Sequence, residues 1–330
     1  MAESGEAKSR PAEFSLIDRL AAHMRVIRTD VKLGIGDDAA LIEIPAAAAN
    51  RQLVTATDTL VEGTHFLPGA PPDSIGHRAL AVNLSDFAAM GAEPAWASLS
   101  LSLPNTDAAW LDGFATGFAA LAETHQVQLI GGDTVRGPLS ITVNLQGTVP
   151  AGQAILRSGA KLGDVIFVSG VPGSAAAGRQ LLEQPGEDDF FQSLRNKFLY
   201  PEPRVVFGAG LRKLANAMID ISDGLQADLM HILNQSECGA SLELDQLVLQ
   251  TEISPCFSAE QALEFVLFGG EDYELLFTVS PENVPAVVSL GDQHGCRLTQ
   301  LGEIKTAGAD WWFKGQQYKL TDKTYQHFSG

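Results

Sequence analysis

The chain has 330 residues, 45% of them hydrophobic and 19% charged, which suits two globular domains with a core in each. It carries 22 Lys and Arg against 40 Asp and Glu, a formal charge of −18, so it gains nothing from the phosphate field of DNA or RNA and general nucleic-acid binding is disfavoured. No run approaches the ~18 apolar residues of a membrane span, Met1 to Pro11 lacks the apolar stretch of a secretory signal, and Cys238, Cys256 and Cys296 stand far apart with no C-x-x-C, as in a reducing cytosol.

Residues 1–12 are expected to be a disordered leader. Phe14, Ile17, Leu20 and Ala21 then fall at helical spacing. A strand is predicted over Leu53–Thr57, a helix over 74–91, a strand over Trp96–Leu103 and a helix over 107–125. Strands follow at Val127–Ile130 and Leu139–Val149. The breaker cluster Val149-Pro150-Ala151-Gly152 sets the expected boundary between an N-terminal domain, 13–150, and a C-terminal domain, 151–330. Beyond it strands are predicted at Val165–Ser169, Ala217–Ile221, Ser241–Leu244, Tyr273–Val279 and Arg297–Ile304. Helices are predicted near 174–184, 189–199, 203–216, 224–236, 258–267 and 282–290. Strands and helices in both halves predict an α/β or α+β fold with mixed sheets packed with helices.

The placement of the acids says more than their number. Six segments join small or turn residues to carboxylates at the ends of apolar runs: Gly34-Ile-Gly-Asp-Asp38, Thr57-Asp58-Thr59, Asn83-Leu-Ser-Asp86, Gly131-Gly-Asp133, Asp220-Ile-Ser-Asp223-Gly224 and Gly269-Gly-Glu-Asp272. An acid pinned beside a buried strand suits a functional group on rigid scaffolding, although any one of them alone reads as a cap or a solvated turn. Unpaired carboxylates gathered in one place repel each other. A hard divalent cation removes that conflict, and Mg²⁺ normally combines a few carboxylates with the phosphates of a ligand. Asn83 and Asp86 share one face of their predicted helix, while Leu80, Leu84 and Phe87 form a stripe to be buried.

Other phosphate cradles fail. Gly34-x-Gly36-x-x-Ala39 imitates a dinucleotide fingerprint, yet Asp37 and Asp38 lie where bare amides must meet a pyrophosphate. There is no G-x-x-x-x-G-K-[ST], no protein-kinase set and no G-x-S-x-G elbow. Arg136 and Arg157 are the cations placed to meet a phosphate, or else surface arginines. His65 follows the Asp58 segment and is structural or ligand-binding. Trp311, Trp312, Tyr325 and Phe328 either fill the core or cap a flat cationic ring.

Seven segments in series carry a family resemblance. They are Gly34-Ile-Gly-Asp-Asp-Ala39, Thr57-Asp-Thr-Leu-Val-Glu-Gly-Thr-His-Phe66, Ala81-Val-Asn-Leu-Ser-Asp-Phe-Ala-Ala-Met-Gly-Ala92, Leu129-Ile-Gly-Gly-Asp-Thr134, Arg157-Ser-Gly-Ala160, Ile219-Asp-Ile-Ser-Asp-Gly224 and Phe268-Gly-Gly-Glu-Asp-Tyr-Glu-Leu275. From about 13 to 328 the chain closely resembles the bacterial thiamine-monophosphate kinases, within the ATP-binding superfamily of aminoimidazole ribonucleotide synthetase. The resemblance implies two α/β domains, a homodimer paired through the N-terminal domains, and a cytoplasmic enzyme. It implies transfer of the γ-phosphoryl of ATP to thiamine monophosphate, the last step in making thiamine diphosphate. It implies several Mg²⁺ ions on Asp38, Thr57, Asp58, Asp86, Asp133, Asp220 and Asp223, with Ala56 where relatives commonly have Ser, so that only its backbone carbonyl serves. It implies ATP contacts from Gly132, Asp133, Arg157 and Ser222, and thiamine-phosphate contacts from His65, Glu271 and Tyr325. The acceptor is already a phosphate oxygen, so no catalytic base is assigned. Another ATP-using synthetase of the superfamily, or a noncatalytic nucleotide-binding module, is the alternative.

Overall fold

The computed structural model describes residues 12–35, 39–43, 50–182, 184, 189–249, 253 and 256–320. Asp38, Tyr325, Phe328 and residues 1–11 fall outside them. In chain order the first half runs α1 (Ala12–His23), β1 (Val31–Leu33), β2 (Leu41–Ile42), β3 (Arg51–Val61), α2 (Pro72–Ala89), β4 (Glu93–Leu103), α3 (Ala108–Thr124), β5 (Gln128–Arg136) and β6 (Ser140–Pro150). The second half begins with β7 (Val165–Ser169), α4 (Ser174–Leu181), α5 (Asp189–Leu199), α6 (Val205–Gly210), β8 (Ala215–Asp220) and α7 (Leu225–Gln235). It ends with β9 (Gly239–Glu243), α8 (Asp245–Leu249), α9 (Ala259–Phe268), β10 (Leu275–Val279), α10 (Val284–Gln293), β11 (Leu298–Lys305), β12 (Ala309–Phe313) and β13 (Gln316–Gln317).

The chain divides into two compact units that interleave in sequence. One takes the described residues within 1–49, 57–80 and 95–146, the other those within 50–56, 81–94 and 147–330. Most of a four-stranded sheet, ordered β3-β6-β4-β5, belongs to the first unit. Alternation explains β6: Ile141, Val143 and Leu145 point inward and are fully buried, while Thr142, Asn144 and Gln146 face the other way. β4 and β5 are parallel, with a slip in register between Ala97 and Ser98. Asp107 caps α3 by accepting the amides of Ala109 and Trp110, and Leu111, Phe114, Phe118 and Leu121 form its buried stripe. Gly76 lets α2 touch α3 through its backbone, since a Cβ there would lie 1.9 Å from the Phe114 carbonyl oxygen.

The second unit is built on a seven-stranded sheet, ordered β13-β12-β9-β11-β7-β10-β8. β7, β10 and β8 pair antiparallel, whereas β9 and β12 pair parallel, so the sheet is mixed as expected. Ile166, Val168, Ile219 and Leu276 pack with Leu229 and Ile232 of α7 and Leu263 and Val266 of α9 in one core cluster.

Several expectations change. β3 does not stop at Thr57 but runs on to Val61, and β5 runs from Gln128 through Gly131-Gly132-Asp133 to Arg136. Asp58 and Asp133 therefore lie inside strands rather than after them. The cause is the open face of β3, where Thr55, Thr57 and Thr59 are exposed; β-branched residues hold an extended backbone there without burial. The helix expected over 203–216 shrinks to the six residues of α6, Lys213 takes φ 67°, and β8 begins two residues early. Asn83 is fully buried, as are Leu80, Leu84 and Phe87, so α2 has no broad polar face and Asn83 is not displayed beside Asp86. β1, β2 and β13, of two or three residues each, are too short for alternation to reveal; β12 is not among the predicted strands, and its Trp311 is a core residue at 2% exposure.

Candidate functional site

In the first unit Gly132 and Asp133 line a cavity of about 780 Å³. Its walls include Ile17, Leu20 and Ala21 of α1, together with Gly34, Ile35 and Ala40. Gly132 is required by packing: its φ is 155°, and a Cβ would lie 1.8 Å from the Leu99 carbonyl oxygen of the neighbouring strand. Asp133 is exposed at this cavity and sits opposite Ser100 in the ladder. One edge of the cavity is fixed from outside, where Arg19 of α1 pairs through two nitrogens with Asp112 of α3 and His23 lies 3.4 Å from the same carboxylate. Arg136 lies elsewhere, in a second cavity of about 570 Å³ with Leu103, Asn105 and Thr134.

Alternation along β3 separates the two neighbouring metal candidates, since Thr57 and Asp58 project from opposite faces. A single ion therefore takes the side chain of one and at most a backbone oxygen of the other. Thr57 is held by a polar chain across to β6: the Asn144 amide donates to its Oγ1 at 2.6 Å, and Gln146 donates to Asn144 Oδ1 at 2.7 Å. His65 is oriented by the Val61 amide, which donates to Nδ1 at 3.0 Å and so leaves the neutral ring's proton on Nε2. Ala56 is half-buried on β3 and offers no hydroxyl.

The second unit brings several predicted residues to one end of its sheet. Asp220 closes β8 and is 5% exposed; its Oδ2 accepts the Ser85 hydroxyl at 2.7 Å. Asp86, the next residue on α2, is half-buried. The amides of Ser222 and Asp223 both donate to Oδ2 of Asp228, each at 3.1 Å. Asp228 is 1% exposed, and its carboxyl is pushed up to about 8 by burial first and then by the negative charge of Asp220. Sequence reasoning missed this residue. An acid in the first turn of a helix reads as an ordinary solvated partner of the helix N-terminus, and only its amide partners reveal it.

The loop carrying Glu271 is latched onto the same end. The Glu271 amide donates to the Ser222 carbonyl at 2.8 Å and the Tyr273 amide to Ile221 at 2.9 Å. Glu271 and Tyr273 both hold positive φ, 62° and 52°, a conformation that costs a non-glycine residue of order 1 kcal/mol or more and persists only under constraint. The constraint comes from their neighbours. The Asp272 carboxylate accepts the Gly173 and Ala175 amides at 2.7 and 3.0 Å, at the start of α4. Glu274 is gripped by Arg204 through Nε at 2.8 Å and Nη2 at 2.5 Å, and Ser169 donates to it as well. Asp220, Ser222, Asp223 and Glu271 are thus brought together. Arg157 is exposed, on a loop whose Gly159 and Ala160 amides donate to Ser236, and no hydrogen bond among the described residues joins it to that group.

Among the described residues no three His, Cys, Asp or Glu side chains gather closely enough to hold a metal ion alone. The candidate donors are nonetheless oxygens throughout, the kind Mg²⁺ takes. Mg²⁺ is usually held by one or two carboxylates completed by water and substrate phosphates, so this donor set fits it without an all-protein cage. No helix among the described residues is long and apolar enough to cross a membrane.

Residues 36–149 match the family described as AIR synthase related protein, N-terminal domain, and residues 151–310 match the corresponding C-terminal domain. The chain is 47% identical to the thiamine-monophosphate kinase of Escherichia coli (strain K12) over 323 residues, 96% of this chain and 98% of that protein. It is 33% identical over 322 residues to the thiamine-monophosphate kinase of Aquifex aeolicus (strain VF5), again 96% and 98%. The crystal structure of thiamine-monophosphate kinase from Stenotrophomonas maltophilia K279a covers 93% of this chain and 98% of its own, with a TM-score of 0.85 at 43% identity. The structure of AaThiL complexed with AMPPCP and TMP covers 98% and 100%, with a TM-score of 0.75 at 30% identity. Both matched domains and the nearly full-length likeness lead to one conclusion: the chain belongs to the AIR synthase related proteins and, within them, to the thiamine-monophosphate kinase family.

Proposed function

We propose that this chain is a phosphotransferase that moves the γ-phosphoryl group of ATP onto thiamine monophosphate, yielding thiamine diphosphate and ADP. The observation that carries the reading is the likeness at 47% identity over 96% of the chain to an enzyme of that name. A relative at 30% identity was complexed with AMPPCP, an ATP analogue, and TMP, which supports the same pair of ligands here. Gly132, Asp133, Arg157 and Ser222 would contact the nucleotide. His65, through Nε2–H, Glu271 and Tyr325 would contact the thiamine phosphate.

Mg²⁺ would be held by Asp38, Thr57, Asp58, Asp86, Asp133, Asp220 and Asp223, with the Ala56 carbonyl, and would supply charge neutralisation between two phosphorylated anions. The protein's own part is positioning. Gly132 keeps a side chain out of the way of β4. Asp228 holds the Ser222–Asp223 backbone, and the Asp272 and Glu274 anchors hold Glu271 in its strained geometry. The acceptor phosphate oxygen is deprotonated at neutral pH, so no general base is needed. The same reading carries a homodimer acting in the cytoplasm.

The test is product identity. Incubation with Mg²⁺, ATP labelled at the γ-phosphate and thiamine monophosphate is expected to give labelled thiamine diphosphate and stoichiometric ADP. ADP formed only with formylglycinamidine ribonucleotide would assign the chain to a synthetase of the same superfamily. Nucleotide binding with no turnover of either acceptor would leave a binding module.

The clasp on α1 should matter for affinity rather than for stability. Arg19→Ala removes an exposed ion pair, so the melting temperature is expected to stay nearly constant. Because α1 walls the cavity, ATP KM is expected to rise several-fold with kcat little changed, and added salt should produce the same trend in the wild type. Equal ATP KM values for the two proteins would remove α1 from nucleotide binding.

A further inference from the structure

Ser85 stands out as a polar group where packing alone favours an apolar one. It is fully buried on α2, as are Asn83, Leu84 and Phe87, while Asp86 is half-buried. Alanine would suit such a position better, since it is the stronger helix former and brings no hydroxyl to desolvate. A serine within a helix ordinarily returns its hydroxyl to the carbonyl four residues earlier. Here the hydroxyl donates instead to Asp220 Oδ2, 135 residues away in sequence, at 2.7 Å. A buried donor to a carboxylate forms a short, directional bond that fixes the plane of the acceptor.

The loop after Asp220 has a separate anchor. Asp228 binds the amides of Ser222 and Asp223, so the loop backbone keeps its shape without Ser85. What Ser85 adds is the orientation of one carboxylate.

We propose that Ser85 is a positioning residue for phosphoryl transfer: its hydroxyl sets the orientation of Asp220 and ties this acid to the turn of α2 that carries Asp86. The inference rests on the reading of Asp220 as a metal-binding acid in a phosphotransferase. A partner of this kind typically changes metal affinity ~10- to 100-fold when removed.

Ser85→Ala and Ser85→Thr distinguish positioning from plain packing. Three readouts are needed: thermal melting, Mn²⁺ binding followed by electron paramagnetic resonance with AMPPCP and no acceptor, and the Mg²⁺ dependence of the rate. Ser85→Ala is expected to melt within a few degrees of the wild type. Its Mn²⁺ binding should weaken ~10-fold, with a matching rise in the Mg²⁺ needed for half-maximal rate and no change in thiamine monophosphate KM. Ser85→Thr, which retains the hydroxyl, should restore most of both. Unchanged Mn²⁺ binding and Mg²⁺ dependence in Ser85→Ala would overturn the proposal. So would a collapse in melting temperature that Ser85→Thr fails to repair, since that marks a packing role alone. If the wild type makes no thiamine diphosphate yet the Mn²⁺ shift appears, the activity reading fails while the tie between Ser85 and Asp220 stands.

Discussion

Asp133→Asn is expected to lower the rate of thiamine diphosphate formation by about 10²- to 10³-fold while leaving the fold intact, the scale on which removal of one electrostatic partner of a reacting charge acts. The side chain is exposed in the cavity of the first unit, on a strand whose ladder position is set by backbone pairing with Ser100. Asparagine keeps the shape and removes only the charge. Because that charge serves no packing role, the melting temperature should hardly move. Steady-state kinetics and a thermal melt on the same preparation check both halves. Asp58→Asn on β3 should behave alike. Near-wild-type turnover in both variants would dismiss the account in which carboxylates hold metal and metal holds phosphate.

Arg204→Met is expected to give the largest loss of stability, about 3–5 kcal/mol, because it leaves a buried carboxylate without its counter-charge. Glu274 is 7% exposed, and Arg204 supplies two of its hydrogen bonds; among the described residues Ser169 is the side-chain donor that remains. At ~2–4 °C per kcal/mol for a chain of this kind of size, the melting temperature should fall by at least about 6 °C. The damage should extend to chemistry. Glu274 is one of two anchors that keep Glu271 at positive φ, so thiamine monophosphate KM should rise in whatever fraction still folds. Adding Glu274→Gln to Arg204→Met should recover part of the stability, since the penalty lies in the unpaired charge rather than in the missing arginine. An unchanged melting temperature in the single variant would contradict the buried pair.

Much of the candidate site is readable along the chain because its parts are contiguous motifs. Asp220-Ile-Ser-Asp223 and Gly269-Gly-Glu271 each keep acid and small residue side by side, and the structure latches these two segments through the Glu271 and Tyr273 amides. The limits of strands were less readable. β3 passes through Asp58 and β5 through Asp133 because each is paired with a neighbouring strand, and pairing continues past the point where apolar residues stop. Asn83 misled for a related reason: a spacing of three places it on one helical face with Asp86, but whether that face meets water depends on what packs against α2.

Local patterns, namely the predicted strands and helices in both halves, the glycines beside acids and the ordered series of motifs, were enough to decide the fold class and the family, because each acts through residues adjacent in the chain. Tertiary structure alone decided which acid receives a buried donor. Ser85 reaches Asp220 across 135 residues, and Asp228 turns from an apparent surface acid into the anchor of a loop. Hydrogen bonds are made at about 3 Å in space and are indifferent to distance along the chain, so no spacing rule could have named either partner.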